Sequence, residues 1–255
     1  MKLDINSDMG EGFGRWAVAD DAEMLKIVSS ANIACGYHAG DHDIMAKVVA
    51  GAKAAGVAIG AHPGFRDLIG FGRRAMPVEK TEMCNMLAYQ IGALQAIAAV
   101  GGHKVTHVSY HAAYGNAALA DPDLALAMAQ VVARIDRDLI FYSQPDTEAE
   151  RAARKCGLRV MTLFLADRAY QPNGALVPRG KPGAVITDHD EVARRVERFV
   201  QDGSVVTSDG SALAMRAKGI LVHSDTPGSI ELARTVRETY DRLGVGVASS
   251  IELAD

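Results

Sequence analysis

The sequence predicts an α/β fold in which seven parallel strands, covered by helices, form a closed or nearly closed barrel. Three observations predict it. Short apolar runs of β type alternate with longer helix-type segments from end to end, the pattern of a parallel sheet with helices on its faces. Seven such runs, each followed by helical or loop chain, suit closure better than an open sheet. The chain has 255 residues, 49% of them apolar, with 25 glycines and 8 prolines, and α/β barrels of that length run as one domain. A single domain over residues 1–255 is therefore expected.

The expected strands are 2–6, 31–35, 57–61, 105–110, 139–142, 159–164 and 219–223. The first runs into the glycine-rich turn "GEGFG". After the second, Asp41 caps a helix whose apolar face is Ile44, Met45, Val48, Val49 and Ala52. The third stops at His62-Pro63-Gly64, and Pro77 opens a long helical segment to about residue 100. Asp121-Pro122 starts another helix carrying Leu124, Met128, Val131, Val132 and Ile135. Residues 165–190 are irregular and rich in Pro and Gly, an acidic helix start follows at His189, and 203–218 reads as a small hairpin or loop excursion. Thr226-Pro227 repeats the capping device before a last helix with Ile230, Ala233, Val236 and Tyr240.

A net charge of −4 and a pI near 6.1, with both signs interspersed, provide no basic face for nucleic acid and no patch for anionic lipid. Three scattered cysteines, Cys35, Cys84 and Cys156, without any CxxC, suggest neither a disulfide framework nor a cysteine zinc site. The N-terminus turns acidic before any stretch of signal length, and no membrane span is expected. The expectation is an unprocessed soluble protein of the cytoplasm.

Strand C-termini form the functional rim of parallel α/β folds, because several strands and helix N-termini converge there on one cavity. Strand one delivers Asn6, Ser7, Asp8 and Glu11, strand two His38, Asp41 and His42, strand three His62 and strand four His111. Strand six delivers Asp167 and Arg168, and the last strand His223 and Asp225. His38, in a glycine-flanked turn with little to pack against, reads as functional. His42 and Asp43 read as solvated first-turn residues, and a metal site using both His38 and His42 is disfavoured because His38 precedes the helix. His103 and His107 read as surface residues and His189 as an ordinary one. Asp8 is open among general base, metal ligand and anchor of the glycine turn. Glu11, between Gly10 and Gly12, sits where backbone approaches a ligand. Arg66, Arg73 and Arg74 are either an anion clamp or a solvated run.

"GEGFG" misses the spacing of a dinucleotide fingerprint, and "GALVPRGKP" is not a P-loop. No nucleophile elbow and no cysteine–histidine signature is present. What remains is histidine and carboxylate chemistry, with or without a divalent metal.

Taken together, "INSDMGEGFG", "SANIACGYHAGD", "GVAIGAHPGFRDLIGFGRRAM", "YQIGALQAIA", "ADRAYQPNGALVPR", "PGAVI" and "VHSDTPGS" resemble the LamB/YcsF family, the A subunits of 5-oxoprolinase, from about residue 3 to 240. The resemblance implies a TIM-like (β/α)7 barrel of the glycoside hydrolase/deacetylase type. It implies a part in ATP-dependent opening of the lactam 5-oxoproline to L-glutamate, in a complex with 5-oxoprolinase subunits B and C. With no nucleotide motif here, ATP is expected in, or shared with, those partners. Asp8, Glu11, His38, His62 and His111 are then the candidate acid/base or ligand groups, with Asp8, His38 and His62 the candidate holders of a divalent metal. Asn6, Arg73, Asp167, Arg168, Arg179, His223 and Asp225 are the candidate substrate-binding residues, Arg168 and Arg179 as clamps for carboxylate or phosphate. Two other readings stand beside it: a metal-dependent amidohydrolase or deacetylase on another lactam or amide, and a non-catalytic binding subunit. Family members usually read Lys-Pro-His-Gly-Ala-Leu-Tyr where this chain has Ser109 to Gly115, so a lysine is lost at Ser109. A family cysteine is Ser7, and His42 stands where Pro is common.

Overall fold

The computed structural model describes all 255 residues. Seven parallel strands close the barrel in the order β1 (Lys2–Met9), β2 (Ser30–Ala34), β3 (Ala58–His62), β4 (Val105–Ser109), β5 (Ile140–Ser143), β6 (Val160–Leu165) and, beyond an antiparallel hairpin of β7 (Ser204–Val206) and β8 (Ala212–Ala214), β9 (Gly219–Val222). Strand β9 pairs with both β6 and β1, which completes the ring. A short β10 (Gly246–Val247) extends the start of β1. Of the hairpin and the loop excursion that the sequence left open for 203–218, the hairpin is the one formed.

Strand β1 runs three residues past its expected end. Asn6 pairs with Ser30 and Asp8 with Asn32, so both acids and amides of this stretch are inside the sheet and not in the turn after it. Alternation then dictates which residues face the lumen. Asp4, Asn6 and Asp8 point inward from β1 and meet Ser30 and Asn32 of β2 and Tyr142 of β5, and Asn32 in turn meets His107 of β4. The barrel interior is polar along this side, whereas β6 contributes Met161 and Leu163. This overturns the surface reading of His107, which is fully buried. Gly60 of β3 makes room for it: a Cβ there would lie 2.0 Å from the imidazole.

The helical layer comprises α1 (Asp21–Met24), α2 (His42–Ala55), α3 (Lys80–Val100), α4 (Ala112–Ala120), α5 (Pro122–Ile135), α6 (Glu148–Lys155), α7 (His189–Asp202), α8 (Ser229–Leu243) and α9 (Ser250–Leu253). Asp41 caps α2 as expected, accepting from the amides of Asp43 and Ile44, and Asp121 does the same for α5 with the amides of Asp123 and Leu124. Helix α3 starts at Lys80, three residues beyond Pro77. It is long and apolar enough to cross a membrane by length and composition, contrary to the expectation that no stretch would be. Its apolar face is used for packing: Met83, Leu87, Ile91 and Leu94 are buried, and the Gln90 amide holds the backbone of Gly64 at the barrel mouth. Thr226-Pro227 does not cap α8; Gly228, at φ 73°, precedes the helix, and the Thr226 hydroxyl donates instead to Asp167.

Candidate active site

Four ligand-type side chains converge at the C-terminal mouth. The turn after β1 brings in Glu11, the turn after β2 His38, the end of β3 His62, and the start of α4 His111; all are buried, with their nearest donor atoms within 4.8 Å of one another. His38 stacks on His111 at 3.7 Å between ring centroids, and His62 packs edge-on against both. Phe71 closes the cluster from the loop after β3. Its backbone sits at φ 53°, and Ala112, next to His111, at φ 37°, two strained residues flanking one imidazole.

The hydrogen bonds determine which nitrogens carry protons. His62 Nδ1 lies 2.7 Å from the Ser109 carbonyl and His111 Nε2 lies 2.8 Å from the Phe71 carbonyl, and a carbonyl only accepts, so both of these nitrogens donate. In the neutral rings this leaves lone pairs on His62 Nε2 and His111 Nδ1, which face each other at 3.0 Å. Glu11 Oε1 stands 3.4 Å from His111 Nδ1 and 3.1 Å from His38 Nε2, while Asp8 Oδ1 is 3.4 Å from His62 Nε2. Acceptors outnumber donors at this centre. A proton or a divalent cation supplies what is missing.

The cluster fits a cation on geometry as well. Three of its edges measure 3.0, 3.1 and 3.4 Å, close to the separation of about 3.4 Å that follows for tetrahedral ligands around a metal with bonds near 2.1 Å. The fitting set is Glu11, His38, His62 and His111, so the expected trio changes: His38 and His62 stay, and Asp8 stands beside the set, against His62. Electrostatics agrees. Burial, then the charge of Asp8, pushes the Glu11 carboxyl well above its ordinary range. Burial pulls His38 and His111 well below the usual imidazole value and lowers His62 too, so the three rings stay neutral and available as ligands or bases. The buried His38 Nδ1 has no partner.

Above the cluster opens a cavity of about 980 Å³, lined among others by Asp8, His62, Ser109, Arg73, Arg168 and Arg179. Arg73 lies 2.6 Å from Asp225, and Arg179 reaches the other oxygen of that carboxylate at 3.8 Å. Burial, then the neighbouring Arg179, lowers Arg168 to about 10, and burial with Arg73 lowers Arg179. Three guanidiniums thus crowd one wall with Asp225 between two of them, which favours a further anion. Arg168 is held in place by the carbonyls of Ala184 and Val177. On the same wall His223 Nδ1 lies 2.9 Å from Asp167, leaving Nε2 for the cavity. Although burial opposes it, His223 and the Thr226 hydroxyl hold Asp167 below the ordinary carboxylate range.

Not every candidate arrives. Asn6 lies beneath the centre, its amide bonded to Ser30 and Asn32. His42 is 82% exposed on α2, Arg66 is exposed, and Arg74 pairs with Asp67. His103 reaches the Val57 carbonyl, and His189 bonds Thr235 at the surface. Asn32 is the site residue that sequence reading passed over: it donates to Asp8 at 2.9 Å. A lone amide inside the apolar run "SANIAC" was the available signal.

Fold and centre together define a parallel β/α-barrel protein with a buried imidazole–carboxylate site under a cationic cavity wall. The chain belongs to the LamB/YcsF family, whose sequence profile matches residues 3–254. It is 56% identical to a 5-oxoprolinase A subunit of Bradyrhizobium diazoefficiens over 244 residues, 96% of each chain. It is 54% identical to the 5-oxoprolinase A subunit of Pectobacterium atrosepticum over 99% of this chain and 98% of that one. Among solved structures, the lactam utilization protein of Thermus thermophilus superposes with a TM-score of 0.91 at 44% identity, covering 97% of this chain and 99% of that one.

Proposed function

We propose that this chain is the A subunit of an ATP-dependent 5-oxoprolinase, opening 5-oxoproline to L-glutamate in the cytoplasm together with subunits B and C. The observation that carries the reading is the acceptor-rich centre of Glu11, His38, His62 and His111 set beneath three arginines, in a chain whose relatives bear that name.

The chemistry follows from the substrate. A five-membered lactam is an unstrained, resonance-stabilised amide, here bearing a carboxylate. Opening it requires an activated carbonyl and a free-energy source, and phosphoryl transfer from ATP to the lactam oxygen supplies both. The nucleotide is handled in, or shared with, the partner subunits. Arg73, Arg168 and Arg179 bind the substrate carboxylate or a phosphate, fixing the ring over the histidines. Water adds to the phosphorylated carbonyl carbon, the ring C–N bond breaks to leave a γ-glutamyl phosphate, and a second water releases its phosphoryl group as inorganic phosphate, so that 5-oxoproline, ATP and two waters yield glutamate, ADP and phosphate. Asp8 or the neutral His62 takes the proton that water loses, and protonated Glu11 or the His223–Asp167 pair returns one to the departing nitrogen. A divalent cation held by Glu11, His38, His62 and His111 would polarise the carbonyl and acidify the water.

The test is co-expression with subunits B and C, an ATP-dependent assay for glutamate from 5-oxoproline, and metal analysis of the purified complex. Turnover that needs ATP supports the reading; a complex silent on 5-oxoproline overturns it. The fit of the cluster to a metal favours a second reading, a metal-dependent amidohydrolase acting on another lactam or amide. Hydrolysis without ATP, lost on chelation, would select it. Binding of a lactam without turnover would mark a non-catalytic role.

A further inference from the structure

One buried imidazole lies outside the chemistry above. His107 sits in the lumen one layer below Asp8, stacked on Tyr142 at 4.2 Å between ring centroids and accommodated by the missing side chain of Gly60. Its Nε2 lies 3.0 Å from Asn32 Oδ1, and its Nδ1 lies 3.0 Å from the Thr106 hydroxyl. Asn32 in turn places Nδ2 2.9 Å from Asp8 Oδ1 and 2.6 Å from Asn6 Oδ1.

The directions follow from the Asn32 amide. Its nitrogen only donates, to Asp8 Oδ1 and Asn6 Oδ1, and its oxygen, which only accepts, faces His107. His107 Nε2 therefore donates, and Nδ1 is left as an acceptor 3.0 Å from the Thr106 hydroxyl, whose single hydrogen is shared between that nitrogen and the Ile59 carbonyl, also at 3.0 Å. Burial holds the ring neutral, with its pKa pulled down to about 3, so the Nε2–H tautomer satisfies the Asn32 contact. Reversing the Asn32 amide would set its oxygen against those of Asp8 and Asn6.

We propose that His107 is a positioning residue for the proposed reaction, locking the Asn32 amide in the orientation that donates to Asp8 Oδ1, the oxygen that also lies 3.4 Å from His62 Nε2, and so fixing that carboxylate at the edge of the cavity. The proposal rests on the reading that places Asp8 in the chemistry. The ring does not reach substrate; it acts through Asn32.

The experiment uses the complex with subunits B and C. His107→Phe keeps the volume and the stack on Tyr142 but donates nothing. Loss of such an outer partner costs about 10- to 100-fold in activity, and here it is expected in kcat, with KM within about 2-fold and the melting temperature little changed. His107→Gln, whose side-chain NH2 can donate to Asn32, is expected to recover part of the loss. In an Asn32→Ala background His107→Phe should have little further effect on kcat, because the route it acts through is gone. An unchanged kcat in His107→Phe, or the same fold-loss with and without Asn32, overturns the proposal. Histidine 15N chemical shifts test the bond directions without any turnover: a protonated Nε2 at His107 supports them, and a protonated Nδ1 overturns them. A complex inactive on 5-oxoproline removes the functional reading, while the tautomer still decides the hydrogen-bond chain.

Discussion

At the level of single residues the centre works because burial and charge push neighbouring groups apart. Glu11 is driven toward its protonated form while three imidazoles beside it are driven toward neutrality. Glu11→Gln removes the one carboxylate that touches both His38 and His111. In the assembled complex it is expected to lower kcat by about 10²- to 10⁴-fold, the range for a lost acid–base group, with the fold intact by circular dichroism. A kcat within a factor of two of the parent would remove Glu11 from the chemistry. Because burial lowers the imidazole pKa values, protons enter the histidines only below their ordinary value of about 6.5. Activity on the acid side should accordingly persist below pH 6.5, and a kcat/KM profile with its acid limb above that value would contradict the assignment. Ser109 is the residue at which this chain departs from the resemblance in charge. Its carbonyl orients His62 and its side chain lines the cavity, so Ser109→Lys adds a cation to the wall without removing the backbone contact. A gain of ATP-dependent turnover in that variant, with none in the parent, would show that the lost lysine governs activity.

Among the secondary-structure elements, β1 and β4 carry the polar lumen and β3 yields space to it. Gly60 lies opposite His107 on neighbouring strands, and no side chain fits between them. Gly60→Ala forces the ring to move, and overpacking of this kind destabilises by about 1–3 kcal/mol. For a chain of this size that corresponds to a melting temperature lower by roughly 2–4 °C per kcal/mol. In a His107→Ala background the added methyl meets open space, so Gly60→Ala should there be neutral or stabilising. Equal losses in both backgrounds would show that the strain lies elsewhere. Helix α3 illustrates the same rule from outside the barrel. Its apolar length resembles a membrane segment, yet Gln90 in its buried face spends both ends of its amide on Gly64 at the mouth of the site.

For the molecule as a whole, buried titratable groups make stability depend on pH. His107 is neutral in the folded state down to about pH 3, whereas the unfolded chain protonates it near 6.5. Between those values the unfolded state binds the extra proton, so acidification through that window destabilises the fold by about 1.4 kcal/mol per pH unit from this residue. Asp4 works in the opposite sense. Burial raises it to about 6 against an ordinary 3.8, so the stability it contributes is present at low pH and is lost as pH rises through that interval. Denaturant unfolding of the parent and of His107→Gln at pH 7, 6 and 5 isolates the histidine, since Asp4 is common to both. The variant is expected to lose less stability per unit of acidification; parallel curves would show that His107 is charged in the folded protein.

The seven strands, the order of the elements and the rim on which the chemistry gathers were all legible in the amino-acid sequence, because they rest on local periodicity, capping by Asp41 and Asp121, and the glycine-marked strand ends. His38, His62, His111 and Glu11 could be picked out there one by one. Their partnership could not. The pairing of the neighbouring strands β1 to β4 brings residues from four successive strand ends within one ligand sphere, and nothing in the spacing of Glu11 and His111 encodes that distance. His107 and Asn32 were hidden for the same reason. A polar residue in a strand reads as solvent-facing until the barrel closes, and then alternation turns it into the lumen, where burial and its neighbours set its role.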